Sequence, residues 1–135
     1  MILLFLILIF IFSCEKWGGL VINCVDCQTE EPEKAKLEIK LSNTSSNYPV
    51  EIRIYEGNLQ DSILYDVFQS TPIKTSHWVL LNKKYTLTAR YIIPDDTIIV
   101  VNSVTPHVKY NETQCDEPCY YVYNKVVNLR LKYFN

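Results

Sequence analysis

The chain has 135 residues, 48% of them hydrophobic, and a formal net charge of −2. Thirteen Lys+Arg against fifteen Asp+Glu, with no basic stripe and no basic recognition motif, exclude a nucleic-acid binder. Three glycines and six prolines exclude a collagen-like or low-complexity chain, and the length suits a single domain.

Residues 1–12, "MILLFLILIFIF", carry no charge. Spanning a bilayer needs about 20 apolar residues, so this run is too short to cross. It fits the apolar core of an export signal, about 7–15 residues long. Ile11-Phe12-Ser13-Cys14 follows and resembles a bacterial lipobox. That resemblance implies a signal peptide over 1–13 and a diacylglycerol on the Cys14 thiol. It also implies cleavage before Cys14 and acylation of the new amino group. A basic leader normally precedes the apolar run, and Met1-Ile2-Leu3 supplies none. Cysteine parity agrees with the lipobox: of five cysteines, an acylated Cys14 leaves Cys24, Cys27, Cys115 and Cys119, an even set that can pair.

Residues 14–35 read as the lipidated cysteine and a tether, with Gly18-Gly19, a short apolar patch and the charged run "QTEEPEKAK". From residue 36 the apolar period is two, the mark of half-buried strands. In "AKLEIKLS", Leu37, Ile39 and Leu41 share a face; in "VEIRIY", Val50, Ile52 and Ile54 do. "NTSSNYP" between them is a loop by its turn residues. "SILYDVFQS" reads as a third strand, with Ile63, Tyr65 and Val67 on one face and Leu64 on the other. "HWVLL" is a fourth, and Asn82-Lys83-Lys84 is a tight connection. "YTLTARYII" puts Tyr85, Leu87, Ala89 and Tyr91 in register. After the Pro94-Asp95-Asp96 turn, "TIIVVNSV" and "HVKY" extend the sheet. A polar loop runs from Asn111 to Pro118, then "YYVY" and "VVNLRLKYF", the latter with Val127, Leu129, Leu131 and Tyr133 inward. The expected fold is all-β, an antiparallel sandwich of about seven strands over 36–135, transthyretin-like or Ig-like. Ten tyrosines fit strand propensity and an AT-rich coding bias better than a dedicated recognition face.

The lipobox, "INCVDC", "YTLTARY" and "CDEPCYYVYNKVVNLRLKYF" together resemble small uncharacterised lipoproteins of Bacteroidota. The resemblance spans nearly the whole chain and implies an exported, lipid-anchored domain with no established catalytic residues. "HWVLLNKKYTLTARY" is similar to a strand pair of transthyretin-like and carboxypeptidase-regulatory-like sandwiches, with Lys83-Lys84 where those usually place Gly or Pro. Surface display in that phylum uses an acidic run after the lipidated cysteine. Glu15-Lys16-Trp17 offers one acid, so the surface and periplasmic leaflets of the outer membrane both stay open.

The four remaining cysteines form a C-x-x-C (Cys24, Cys27) and a C-x-x-x-C (Cys115, Cys119). Three readings apply: a closed zinc site of four thiolates, a redox pair at Cys24-Cys27, or structural disulfides suited to an oxidising compartment. Disulfides are the reading adopted, with no metal and no cofactor. Three connectivities are open. Pairing between the two motifs is preferred, because it would staple the tether onto the last strand.

His77 and His107 lack ligand or nucleophile spacing. Asp95-Asp96 suits a turn, and two adjacent acids there or at Asp116-Glu117 are too few for calcium. Glu56 and Asp66 have no matched acid–base partner in the sequence. No hydrolase elbow, zincin motif or phosphate loop is present, so the expectation is a non-enzyme. Asp61-Ser62-Ile63 and Asp96-Thr97-Ile98 resemble the O-glycosylation sequence of exported Bacteroidota proteins, which marks Ser62 and Thr97. Asn43-Thr44-Ser45 and Asn111-Glu112-Thr113 match the N-glycan sequon, which is usually idle in bacteria.

The expected function is a structural or interaction module of the cell envelope. It would be held to the bilayer through Cys14 and would face an envelope protein or glycan. Alternatives are a glycan- or peptide-binding surface using exposed Tyr and Trp78, and a thiol redox protein. The ligand-binding residues stay unassigned.

Overall fold

The computed structural model describes residues 19–44, 48–71 and 73–132. The expected signal peptide, Cys14, Ser45 and Tyr133 lie outside them. The described chain forms an all-β sandwich of nine strands. In order these are β1 (Lys34–Lys40), β2 (Val50–Glu56), β3 (Ile63–Ser70), β4 (Lys74–Leu80), β5 (Tyr85–Ile93), β6 (Asp96–Val104), β7 (His107–Asn111), β8 (Cys119–Tyr123) and β9 (Val126–Asn128). One sheet has the order β4-β1-β9, the other β3-β2-β5-β6, and β7-β8 form a separate hairpin.

The alternating residues meet as the sequence pattern implies. Leu37, Ile39, Leu41, Val79, Val127 and Leu129 bring one sheet's apolar face to the core. Ile52, Ile54, Tyr85, Leu87, Ala89 and Tyr91 bring the other's. Fully burying a side chain of this size contributes about 1.5–3 kcal/mol, so these two rows are the main cohesive contact between the sheets.

Two tyrosines of β5 tie the layers with their hydroxyls. Tyr85 Oη accepts the N–H of Leu80 at 3.1 Å. Tyr91 donates to the Leu129 carbonyl at 2.7 Å and accepts the N–H of Ser42 at 3.0 Å. A buried hydroxyl needs such partners, and here each partner belongs to the opposite layer. Burial raises both phenols above their ordinary value, against the lowering effect of the backbone hydrogen bonds.

Three expectations need correction. The first concerns β3, whose register against β2 shifts at Ile54/Tyr55, so that Tyr65 is skipped between Asp66 and Leu64. This bulge reverses the alternation. Tyr65 and Phe68 pack on the core, while Val67 stands opposite Arg53 and is 47% exposed. Tyr65 and Val67 therefore do not share a face, and Ile63 and Leu64 are both exposed.

The second concerns β7, which does not extend the sheet beyond β6. It pairs with β8 from His107↔Tyr123 to Asn111↔Cys119. The resulting hairpin brings Val108 and Val122 against Ala35 and Leu81 at one end of the sandwich. Nine strands form, one at each stretch with strand pattern, where the expected sandwich had about seven.

The third concerns β9, which runs parallel to β1 with Ile39 opposite Val127. Every other strand pairing is antiparallel. The parallel ladder continues past β9, where Leu129 N–H donates to Lys40 O at 2.9 Å.

Candidate functional site

The four cysteines are brought together by the N-terminal segment and the β7–β8 hairpin. Cys24 bonds Cys115 and Cys27 bonds Cys119, across sequence separations of 91 and 92. Cross-motif pairing is thus the connectivity that forms. The staple lands on β8 and the loop before it, not on the last strand β9.

Backbone pairing reinforces the covalent links. Gln28 and Tyr120 exchange two hydrogen bonds, N–H to O at 2.8 Å and 2.6 Å, as an isolated antiparallel bridge. Gln114 Nε2 donates to the Leu20 carbonyl at 3.3 Å, and its Oε1 accepts the N–H of Ile22 at 3.2 Å. Ile22 is buried. The stretch read as a tether is therefore held along the hairpin from residue 20 to residue 28.

Closing a loop of this length removes chain entropy worth about 4.6 kcal/mol in the unfolded state. The second bridge then closes a loop of roughly nine residues and adds about 2–3 kcal/mol on the same basis.

The sulfurs of Cys27, Cys115 and Cys119 lie within 4.8 Å of one another. A metal needs thiolates, and all four sulfurs are held in disulfides. The C-x-x-C does not close on itself, so the bridge that an oxidoreductase motif would use is not formed.

Gln114 had no signal in the sequence beyond membership of a polar loop, and Asn111 only that and its glycan sequon. Asn111 is 5% exposed. Its Oδ1 accepts the Gln114 N–H at 3.2 Å, and its Nδ2 faces Cys119 Sγ at 3.9 Å. Asn111 thus holds the β7–β8 loop at its entry to Cys115 and against Cys119, and its burial removes it as a glycan acceptor. Ser62 and Thr97 are exposed, Ser62 just after a 3-10 turn with φ of 53°.

His77 lies on the inward side of β4, opposite Leu37. Its Nε2 meets Asp66 Oδ2 at 3.0 Å, and its ring stacks on Phe68 at 5.0 Å. The pair joins the edge strands β3 and β4 of the two sheets. His107 Nδ1 meets Asn82 Oδ1 at 3.2 Å and its ring packs on Tyr123. Asp95, with φ of 67°, makes the β5–β6 turn, and Asp116 and Glu117 are exposed in the loop before β8.

The exposed aromatics Tyr48, Trp78 and Tyr110 stand on the β1–β2 loop, β4 and β7 respectively. Of these, Tyr110 pairs with Tyr120 across the hairpin at 5.0 Å. Among the described residues no helix is long and apolar enough to cross a membrane. Protein-family models, curated proteins and solved structures show no match to this chain.

Proposed function

We propose that this chain is a non-catalytic, lipid-anchored module of the bacterial cell envelope, attached to the outer membrane through acylated Cys14. The double clasp is the observation that supports this reading most directly. Two disulfides suit an oxidising compartment. They also account for every cysteine except the one in the lipobox-like sequence.

The clasp shortens the leash as well. From Cys14 to β1 the chain could extend about 70 Å, but from Cys14 to clasped Ile22 only about 28 Å. A domain held this close to its anchor serves as an interaction or structural element near the bilayer, not as a far-reaching arm.

The test is intact and peptide mass spectrometry, without reduction, of protein purified from its native membrane. The expected result is a mature chain beginning at acylated Cys14, with the Cys24–Cys115 and Cys27–Cys119 peptides linked. An unmodified Cys14 retained in the full-length chain would remove the anchor and with it the envelope reading.

A further inference from the structure

The outward face of the β4-β1-β9 sheet has a charge opposite to the rest of the molecule. Lys34, Lys36 and Lys40 of β1, Lys74 of β4 and Lys125 before β9 stand on or beside it, against one carboxylate, Glu38. That is a formal +4 in a chain of −2, which leaves −6 for everything else. Lys36, Lys74 and Lys125, with Glu38, Thr75 and Ser76, line a shallow cleft.

Lys40 sits directly opposite Lys74 in the register, an arrangement of like charges that works against strand pairing. Lys74 meets Glu38 at 3.5 Å, and among the described residues the other lysines of this face have no ion-pair partner. Between the cations stand two exposed apolar side chains. Trp78 is 56% exposed beside Lys36, and Val126 is 47% exposed beside Glu38.

We propose that this face docks onto an anionic lipid bilayer surface, with the lysines on headgroup phosphates and Trp78 at the headgroup level. The charge complementarity is direct. Cations spread over a flat sheet match a surface of many phosphates better than one small anion. An amphipathic indole among lysines is the side chain suited to that depth. The proposal deepens the envelope reading and rests on it for proximity: the short leash from Cys14 keeps the face within reach of the bilayer.

The test uses the full chain carrying Trp17→Phe, so that Trp78 is its only indole. It is reconstituted in phosphatidylcholine vesicles with and without one-third phosphatidylglycerol. Quenching of Trp78 by acyl-brominated lipid reports docking. The expected result is quenching in anionic vesicles only, suppressed by salt and abolished by Lys36→Glu, Lys74→Glu and Lys125→Glu together. Each lysine removed singly should lower the docked-to-undocked ratio about five-fold, the effect of about one charge at an anionic surface.

The charge-matched variant Lys83→Glu, Lys84→Glu, Lys109→Glu, away from this face, should dock as before. Quenching in both vesicle types, in neither, or lost equally in the control variant overturns the proposal. A Trp78 response to dextran sulfate without one to anionic vesicles also overturns it, and assigns the face to an anionic polysaccharide. Intact mass reads the anchor separately. If Cys14 is unacylated, co-sedimentation with anionic but not neutral vesicles still upholds the face, and its absence overturns it.

Discussion

The phenol of Tyr91 on β5 donates its hydrogen bond to the carbonyl of Leu129, 38 residues away in the opposite layer, at 2.7 Å. The same oxygen accepts the N–H of Ser42 at 3.0 Å. One side chain therefore holds both the segment after β1 and the segment after β9, where the parallel ladder ends. Tyr91→Phe keeps the ring and removes both bonds. A loss of about 1–3 kcal/mol is expected, because the Leu129 carbonyl is left buried without its donor. Urea unfolding with an unchanged m-value would show it.

The same chemistry sets an alkaline limit. Burial holds the Tyr91 and Tyr85 phenols neutral above their ordinary value near 10. The folded state then keeps protons that the unfolded chain releases, so stability falls as pH rises. This contribution is complete below about pH 10 and is lost as pH climbs from there through the folded-state values. A double Tyr85→Phe, Tyr91→Phe variant, although less stable at pH 8, should lose less stability between pH 9 and 11 than the parent. Equal losses would show that these phenols do not set the limit.

Removing one bridge should matter less than removing both. Cys24→Ser with Cys115→Ser leaves the Cys27–Cys119 bridge to close nearly the same loop, and a cost of about 2–3 kcal/mol is expected. Removing all four cysteines gives up the whole loop constraint, about 7 kcal/mol in the same chain-entropy account. Guanidinium midpoints of the three proteins check the order.

Gln114→Ala should release residues 20–22 without unfolding the sandwich. Its amide bonds Leu20 O and Ile22 N–H, both at the molecule's margin. Faster hydrogen exchange at Ile22, with a global change under about 1 kcal/mol, is the expected signature.

The bulge in β3 predicts unequal neighbours. Val67→Ser, on the exposed side opposite Arg53, should cost within about 0.5 kcal/mol. Tyr65→Ser takes a ring from the core edge, where it meets Tyr85 at 5.4 Å. It should cost about 2–4 kcal/mol. Equal costs would mean that the two residues share a face after all.

Much of this architecture is written locally. The alternation through Leu37-Ile39-Leu41, Val50-Ile52-Ile54 and Tyr85-Leu87-Ala89-Tyr91 states which side of each strand is apolar. All of these residues are buried. A period of two is a property of the backbone itself, so it needs no knowledge of neighbours. Cysteine parity likewise separated Cys14 from an even set of four. What the tertiary structure decided is who lies beside whom. β9 runs parallel to β1, β7 leaves its sheet to pair with β8, and Tyr65 is skipped where β2 and β3 meet. The pairing of Cys24 with Cys115 and Cys27 with Cys119 belongs here too, as does the collection of lysines from β1, β4 and the β8–β9 turn on one face. Such relations depend on contacts between separate strands and loops, from 8 positions apart at Asn111↔Cys119 to 92 at Cys27–Cys119. Their energies lie in packing, register and chain closure, none of which any single stretch of residues contains.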